Sequence, residues 1–177
     1  GNSTYFPDRV VPMLPERLSN DLCSLRPAEP RATLAVHMWI DQHGSLLRHK
    51  FVRGLMLSRA RLTYEQVQRS IDGTPDTTTQ PLMESVIKPL YAAWKILDQA
   101  RIKRGALDLD VPERKIAVNE AGVMTGVAVR ERLNSHRVIE EFMILANVAA
   151  AQALEAKKFP CIYRIHDRPT GDKLSSA

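Results

Sequence analysis

Carboxylates, histidines and cysteines are the side chains with which this sequence could do chemistry, and they are sparsely arranged. Asp108 and Asp110 flank Leu109, and Glu140 and Glu141 are adjacent within a helical pattern. Neighbouring helical side chains point about 100° apart, so Glu140 and Glu141 cannot chelate one ion well. Magnesium prefers several hard oxygen ligands, which a single pair of aspartates does not supply. The residues therefore predict no metal site in this chain.

Other reactive patterns are equally weak. His136 and Glu140 are four residues apart and would share a helix face, where a surface pair is favoured over a pair of metal ligands. Cys23 and Cys161 lie in no C-x-x-C pattern and in no His/Cys spacing typical of zinc. No nucleophile motif is present. We therefore expect no catalytic residue within these positions.

The charge balance is basic and unevenly distributed. The chain has 177 residues and a formal net charge of +5, which favours polyanionic partners but is also common in proteins without one. Between Ser45 and Arg69 the only acid is Glu65, and the cations are Arg48, Lys50, Arg53, Arg59, Arg61 and Arg69. Such a stretch either follows a phosphate backbone or forms the solvated face of a strand and a helix.

Apolar patterning gives no indication of a membrane protein. The most apolar stretch, residues 142–154, is too short to cross a bilayer, and the chain shows no signal peptide. Two isolated cysteines suit a reducing compartment. We therefore expect a cytoplasmic protein without a membrane partner.

The first half of the chain predicts a hairpin followed by helices. Five prolines before residue 31 disfavour long regular structure there, apart from a helical turn near residues 16–21. Residues 31–40 and 46–57 read as strands around a turn at 41–44, where Gly44 allows a positive φ. Thr63 caps a short helix over 64–71. A long helix follows over 81–104, with a kink or restart at Pro89.

The second half predicts short strands and one more long helix. Strands are expected at 106–110, 115–119 and 124–129, and a final strand at 162–165. Asn134 or Ser135 is expected to cap a helix over 136–157. We predict an α+β fold with a mixed, largely antiparallel sheet and two long helices packed on it.

Several stretches together resemble the ribonuclease II / ribonuclease R family. The N-terminal stretch YFPDRVVPMLPERLSNDLCSL (residues 5–25) resembles a signature of its catalytic, or RNB, domain. Three further matches follow in the same order: RARLTYEQV (59–67), IEEFMILAN (139–147) and YRIHDRP (163–169). The resemblance covers nearly the whole chain and is closer to ribonuclease R. It implies that residues 1–177 form one partial RNB catalytic domain, without a second domain.

The resemblance implies a function and a set of RNA contacts. Members of the family are processive exoribonucleases that digest single-stranded RNA from the 3′ end to nucleoside monophosphates. Tyr5 matches an aromatic residue that stacks on bases, and Tyr64 and Glu140 match residues that meet the ribose 2′-hydroxyl. Leu109 stands where the family has a second stacking aromatic, so a π face is missing there.

The resemblance also implies what is absent. The aspartate cluster that holds magnesium in the family, and an arginine motif that meets the phosphate, have no match in this sequence. We therefore expect an internal piece of an exoribonuclease that lines the RNA path and is inactive alone, with magnesium bound only in the parent enzyme. Exposed sheet edges and core faces would favour dimerisation of such a piece.

Two alternatives remain open from the sequence. One is a catalytically inactive RNA-binding relative, which lacks working carboxylates even at full length. The other is a small basic α+β interaction protein without any RNA role.

Overall fold

The computed structural model describes residues 3–106, 113–119, 123–163, 165 and 170–171, and its strands all pair locally. The strands are β1 (Ser3–Tyr5), β2 (Val10–Pro12), β3 (Pro30–Ile40), β4 (Leu46–Leu57), β5 (Glu113–Val118) and β6 (Met124–Arg130). Each pairs antiparallel with its chain neighbour, so the described strands form three two-stranded ribbons. The predicted α+β class and antiparallel pairing are confirmed, with separate ribbons in place of one continuous sheet.

Three α-helices and three short helical turns complete the regular secondary structure of the described residues. The helices are α1 (Tyr64–Ile71), α2 (Lys88–Lys103) and α3 (Asn134–Ala156). A π-helical turn spans Arg17–Leu22, a 3₁₀ turn spans Gln80–Leu82, and a second π-helical turn spans Met83–Ile87. The predicted helix over 81–104 is therefore segmented, and Pro89 lies in the first turn of α2, where its missing N–H breaks no bond.

The turn between β3 and β4 is fixed by its own side chain. One carboxylate oxygen of Asp41, Oδ1, accepts the backbone N–H groups of His43 (2.8 Å) and Ser45 (2.9 Å). These bonds, led by the one from Ser45, hold the pKa of Asp41 below its usual value. Gly44 takes a φ of +80°, as the sequence predicted. The turn rests on α2, because a Cβ at Gly44 would lie 2.7 Å from the Cβ of Ala100.

The buried core is helical. Its central cluster comprises Met83, Ile87, Tyr91, Trp94 and Val138, all below one tenth exposed. Leu62, Val67, Ile71, Leu82, Leu90 and Phe142 pack around this cluster. These residues come from α1, α2 and α3 and the segments that precede the first two helices, so the helices bury their apolar faces against one another.

Two ion pairs join α3 to α2 beside this core. Arg101 contacts Glu141 at 2.8 Å, and Arg137 contacts Asp98 at 2.8 Å. Glu141 is only 5% exposed. Loss of Arg101 would leave a buried charge without its partner, which costs about 3–5 kcal/mol in comparable sites.

Three sequence predictions differ from the structure. Leu133 precedes α3 in extended conformation, so the helix begins one residue earlier than a cap at Asn134 or Ser135 would allow. The imidazole of His136 accepts the backbone N–H of Leu133 at 3.2 Å, the bond that a glutamate or glutamine makes in a capping box. The strand predicted at 162–165 is not formed in its described residues. Ala106 is not in a strand, and residues 107–110 of the strand predicted there lie outside the described part.

A helix that crosses a bilayer must be both long and apolar. Among the described residues, no helix combines the length and the apolar character needed to cross a membrane.

We expect Gly44→Ala to lower the free energy of unfolding by about 2 kcal/mol or more. The new methyl group would combine a positive φ with a 2.7 Å approach to Ala100. Gly73 separates the two effects, because its φ is +102° while nothing lies within 4 Å of a Cβ there. Gly73→Ala should therefore cost only about 1 kcal/mol.

Urea unfolding, followed by tryptophan fluorescence, measures both changes. Gly54→Ala is the matched control, since Gly54 has neither a positive φ nor a neighbour within 4 Å of a built Cβ. Equal unfolding free energies for the Gly44 and Gly54 variants would contradict the packing of the turn on α2.

Candidate nucleic-acid interface

Tyr64 is the first residue of α1, and a complete capping box fixes its position. The Thr63 hydroxyl accepts the backbone N–H of Gln66 at 3.2 Å, and the Gln66 side chain accepts the backbone N–H of Thr63 at 2.9 Å. The predicted cap at Thr63 is thereby confirmed. The two bonds satisfy N–H groups that the helix itself leaves without partners, so they fix the backbone on either side of Tyr64.

The loop that contains Asp76 supports the capping box. The Gln66 amide donates to Asp76 at 3.1 Å. The other oxygen of that carboxylate accepts the N–H groups of Thr78 (3.0 Å) and Thr79 (2.8 Å) and the Thr79 hydroxyl (2.9 Å). The bonds from Thr79 are the main reason that the pKa of Asp76 lies below its usual value. The charged form of Asp76 therefore holds the loop that orients Gln66.

Gln68 ties α1 to the other two helices. Its carbonyl oxygen accepts the backbone N–H of Ser135 at 3.1 Å and the Tyr91 hydroxyl at 3.5 Å. Its amide donates to both oxygens of Asp72 at 3.0 and 3.1 Å. Burial, with a contribution from the Asp72 charge, raises the pKa of Tyr91 to about 12, which keeps its hydroxyl protonated as a donor. The start of α3 is thus held against α1.

This junction places Tyr64 on His136. The two rings are stacked, with centroids 4.2 Å apart and planes 23° apart. The Nδ1 atom of His136 accepts the N–H of Leu133, which fixes the orientation of the ring. The sequence interpretation of His136 as a member of a surface pair with Glu140 did not include this stack.

Glu140 lies one helical turn beyond His136 on the same face of α3. Its carboxylate contacts Arg132 at 2.7 Å, and the Glu140 side chain remains 43% exposed. Glu141, by contrast, points into the helix interface and pairs with Arg101. The two adjacent glutamates therefore have different environments, as their angular separation on a helix requires.

The structure brings together two of the four residues predicted to contact RNA. Tyr64 stacks on His136, and Glu140 lies one helical turn beyond His136 on the same face of α3. Tyr5 lies on the β1–β2 ribbon, opposite Val10, and is 78% exposed, outside this cluster. Leu109 lies outside the described residues, so its predicted contact is not tested.

The carboxylates of the described residues do not fit a magnesium site. Among these residues, no group of three or more histidines, cysteines or acidic side chains is arranged to hold an ion. Four carboxylates already have structural partners. Asp41 and Asp76 accept backbone N–H groups, and Asp98 and Glu141 pair with arginines. Asp108 and Asp110 lie outside the described residues.

Sequence reasoning missed the supporting residues of this site. Arg132, in the loop before α3, contacts Glu140, and His136 of α3 stacks on Tyr64 of α1. Residue spacing carries no signal for either contact. Asp76 had a detectable signal, because an aspartate three residues before a threonine in a polar loop is typical of a side chain that caps a turn.

Comparison with known proteins shows which family the sequence matches. The sequence model of the RNB domain matches residues 1–177. Ribonuclease R of Escherichia coli (strain K12) is 39% identical over 178 residues, which cover 99% of this chain and 22% of that protein. Ribonuclease R of Vibrio parahaemolyticus is 42% identical over 96% of this chain and 20% of its own length. The chain thus spans about a fifth of the length of these relatives.

Solved structures give the same match. Mycoplasma genitalium RNase R in complex with ribose-methylated single-stranded RNA has a TM-score of 0.88 and 32% identity. It covers 98% of this chain, and the match covers 27% of that protein. The same enzyme in complex with double-stranded RNA has a TM-score of 0.89 and 32% identity, over 98% of this chain and 31% of that chain.

Replacement of Asp76 by asparagine should reduce stability near neutral pH and have less effect in acid. The folded pKa of Asp76 is lowered, so its contribution is present above the unfolded value, 3.8, and is lost as the pH falls through the folded value. The unfolding free energies of the Asp76→Asn variant and the parent should therefore differ at pH 7 and converge as the pH falls through the folded pKa of Asp76.

Urea denaturation at several pH values measures this convergence. Asp8→Asn is a control, because Asp8 pairs with its exposed neighbour Arg9. This substitution should change the free energy of unfolding by no more than about 0.5 kcal/mol. A difference for Asp76→Asn that grew toward acid would refute the assigned role of the carboxylate.

Proposed function

Because this chain belongs to the RNB domain family, we propose that it is part of the catalytic domain of an exoribonuclease. The intact protein would hydrolyse single-stranded RNA from the 3′ end to nucleoside monophosphates, and residues 1–177 would form one partial domain that lines the RNA path. The observation that carries this proposal is the match of residues 1–177 to the RNB domain, with exposed Tyr64 stacked on His136, one helical turn before Glu140 on α3. A cytoplasmic location is part of the proposal.

Glu140 is the residue that we assign to the ribose. A carboxylate with one oxygen held by Arg132 and an exposed remainder is a suitable acceptor for a 2′-hydroxyl, which DNA lacks. The ring of Tyr64, supported from one side by His136, would lie beside the same sugar. Discrimination between RNA and DNA then depends on a hydrogen bond that only one of the two substrates makes.

Tyr5 and Leu109 are the residues that we assign to the bases. Tyr5 is exposed and offers a π face on which any base can stack, which suits an enzyme that tolerates every sequence. Leu109 would contribute apolar contact only. A leucine in place of an aromatic residue should make the grip on the 3′-terminal bases weaker than two aromatic jaws would.

Hydrolysis itself is assigned to groups beyond this chain. Asp41, Asp76 and Glu141 are engaged in structural hydrogen bonds and ion pairs. We therefore propose that the parent enzyme uses magnesium and that the ligands of this ion lie outside residues 1–177. The proposed partner of this chain is single-stranded RNA.

Self-association of the isolated chain is also part of the proposal. Leu34 is 68% exposed and Leu55 75% exposed on the β3–β4 ribbon, and Val129 is 67% exposed on β6. Exposed apolar side chains on two-stranded ribbons, whose outer edges are unpaired, favour contact with a second copy of the chain.

We expect Glu140→Gln to reduce the preference for RNA over DNA about tenfold. A hydrogen bond to a charged acceptor contributes about 1.5–3 kcal/mol, and each 1.4 kcal/mol corresponds to a factor of ten. Fluorescence anisotropy with labelled RNA and DNA strands of one sequence measures the ratio of affinities. Tyr64→Ala should weaken binding of both strands.

The matched control is Glu84→Gln, which removes the same charge from an exposed side chain paired with Lys88. Its RNA-to-DNA affinity ratio should equal that of the parent. An unchanged ratio for Glu140→Gln would sink the assignment of this residue to the ribose.

A 5′-labelled single-stranded RNA incubated with this chain and magnesium should remain intact on a denaturing gel. The expectation follows because no group of three or more histidines, cysteines or acidic side chains in the described part of the chain is arranged to hold an ion. A ladder of shortened products would place active carboxylates within these 177 residues and contradict the proposal.

Sedimentation velocity tests the proposed self-association. The sedimentation coefficient should rise with protein concentration, and Leu34→Lys combined with Leu55→Lys should reduce the rise, since both side chains are exposed. A concentration-independent monomer would contradict it.

A further inference from the structure

The β3–β4 ribbon is basic. Its two strands contain no aspartate or glutamate and carry Arg31, Arg48, Lys50 and Arg53. Arg31 is neutralised by ion pairs with Asp21 and Glu29. Within the described residues, no carboxylate lies within ion-pair distance of the other three cations.

Four side chains gather on one face of this ribbon. In the antiparallel register His37 is opposite Lys50, and Trp39 is opposite Arg48. Positions two residues apart on a strand share a face, so the four residues form one contiguous patch. We call it the Trp39 face, and all four members are exposed.

The centre of the Trp39 face is a stacked pair. The guanidinium carbon of Arg48 lies 3.8 Å from the centroid of the Trp39 ring, and the His37 ring lies 6.2 Å from it at a 30° angle. A guanidinium that stacks through its face keeps its N–H donors at its edge. Lys50 adds a second cation beside the pair.

The opposite face of the ribbon already has a structural role. Val36, Met38 and Ile40 are half-buried there. Leu46, opposite Ile40, lines a groove of about 210 Å³ together with Ile144 of α3. Packing against the helices therefore uses this other face and leaves the Trp39 face turned away from the core.

We propose that the Trp39 face binds unpaired RNA at a second site, separate from Tyr64 and Glu140. A base stacks on the Trp39–Arg48 pair, and the phosphates on either side meet the edge of Arg48 and the ammonium of Lys50. Exposed aromatic rings beside cations without acidic partners are the features with which proteins hold single strands irrespective of sequence. The inference rests on the proposed RNA function and adds a contact that would guide the strand.

Single-stranded RNA is favoured over a duplex by the chemistry of the pair. In a duplex the base faces are stacked on one another and are not open to a side chain. The cations supply affinity without sequence preference, and binding should therefore weaken steeply with salt.

Tryptophan fluorescence of this chain reports the Trp39 face directly. The chain has two tryptophans, and Trp94 is buried at 6% exposure. Titration with a single-stranded RNA should quench the emission of the parent. In Trp39→Phe the remaining Trp94 should show no quenching. In Trp39→Ala, which removes the aromatic face, the affinity measured by anisotropy should fall roughly tenfold.

The salt dependence of binding tests the cations. Loss of two phosphate contacts in the double variant Arg48→Gln/Lys50→Gln should reduce the slope of log K against log salt by about 1.4. The control is Lys95→Gln/Lys157→Gln, which removes the same charge from exposed positions on and just after the helices and should leave the slope unchanged. Urea midpoints of both double variants confirm that the fold is retained.

The outcomes separate this inference from the proposed function. If Glu140→Gln alters the RNA-to-DNA ratio while Trp39 emission stays constant, the second site is wrong and the proposed function stands. If Trp39 is quenched while Glu140→Gln has no effect, the second site stands without the ribose assignment. Equal quenching by polyglutamate, or by an RNA duplex of the same length, would overturn the second site.

Discussion

The rotation of α3 about its own axis is the constraint on which the candidate interface depends. Arg101 with Glu141, and Arg137 with Asp98, lock one side of this helix onto α2. Once Glu141 is turned inward, its neighbour Glu140 must lie about 100° away, toward the edge of the interface. His136, one turn earlier, follows Glu140 to the same face. A pair of buried charges thus decides which glutamate remains available to a substrate.

A second set of contacts decides what faces Glu140 across the interface. The charged carboxylate of Asp76 orders its own loop and receives the amide of Gln66, which in turn caps α1. Because Tyr64 is the first residue of α1, this chain of hydrogen bonds sets the position of its ring. Gln68 then joins α1 to the start of α3, so that Tyr64 meets His136. Polar groups that face inward therefore position an aromatic group that faces outward.

The sequence specified local structure well and tertiary neighbours poorly. The bounds of α1 and β4, the cap at Thr63 and the positive φ of Gly44 were predictable, because each follows from residues within a few positions of one another. The stack of Tyr64 on His136 joins residues 72 positions apart, and no periodicity encodes such a pairing. The start of α3 was missed for a related reason: an imidazole makes the bond to the preceding backbone that a glutamate or glutamine usually makes in a capping box. Resemblance to a family supplied Tyr64 and Glu140, whereas Arg132 and Asp76 emerged only from the structure.

The division between a buried helical core and exposed ribbons also bears on how the chain would hold RNA. Among the described residues, the fully buried side chains come from helices, helical turns or the loop before them, and none comes from a strand. A two-stranded ribbon is marginally stable in water unless one of its faces is covered. Tyr64 and Glu140 are therefore built on the rigid part of the molecule, whereas Tyr5 stands on a short ribbon whose position the core does not fix. The proposed recognition of the sugar would be pre-organised by packing within this chain. Stacking of bases on Tyr5 requires that something else hold the β1–β2 ribbon in place, and about four fifths of the length of the ribonuclease R relatives lies beyond the matched region.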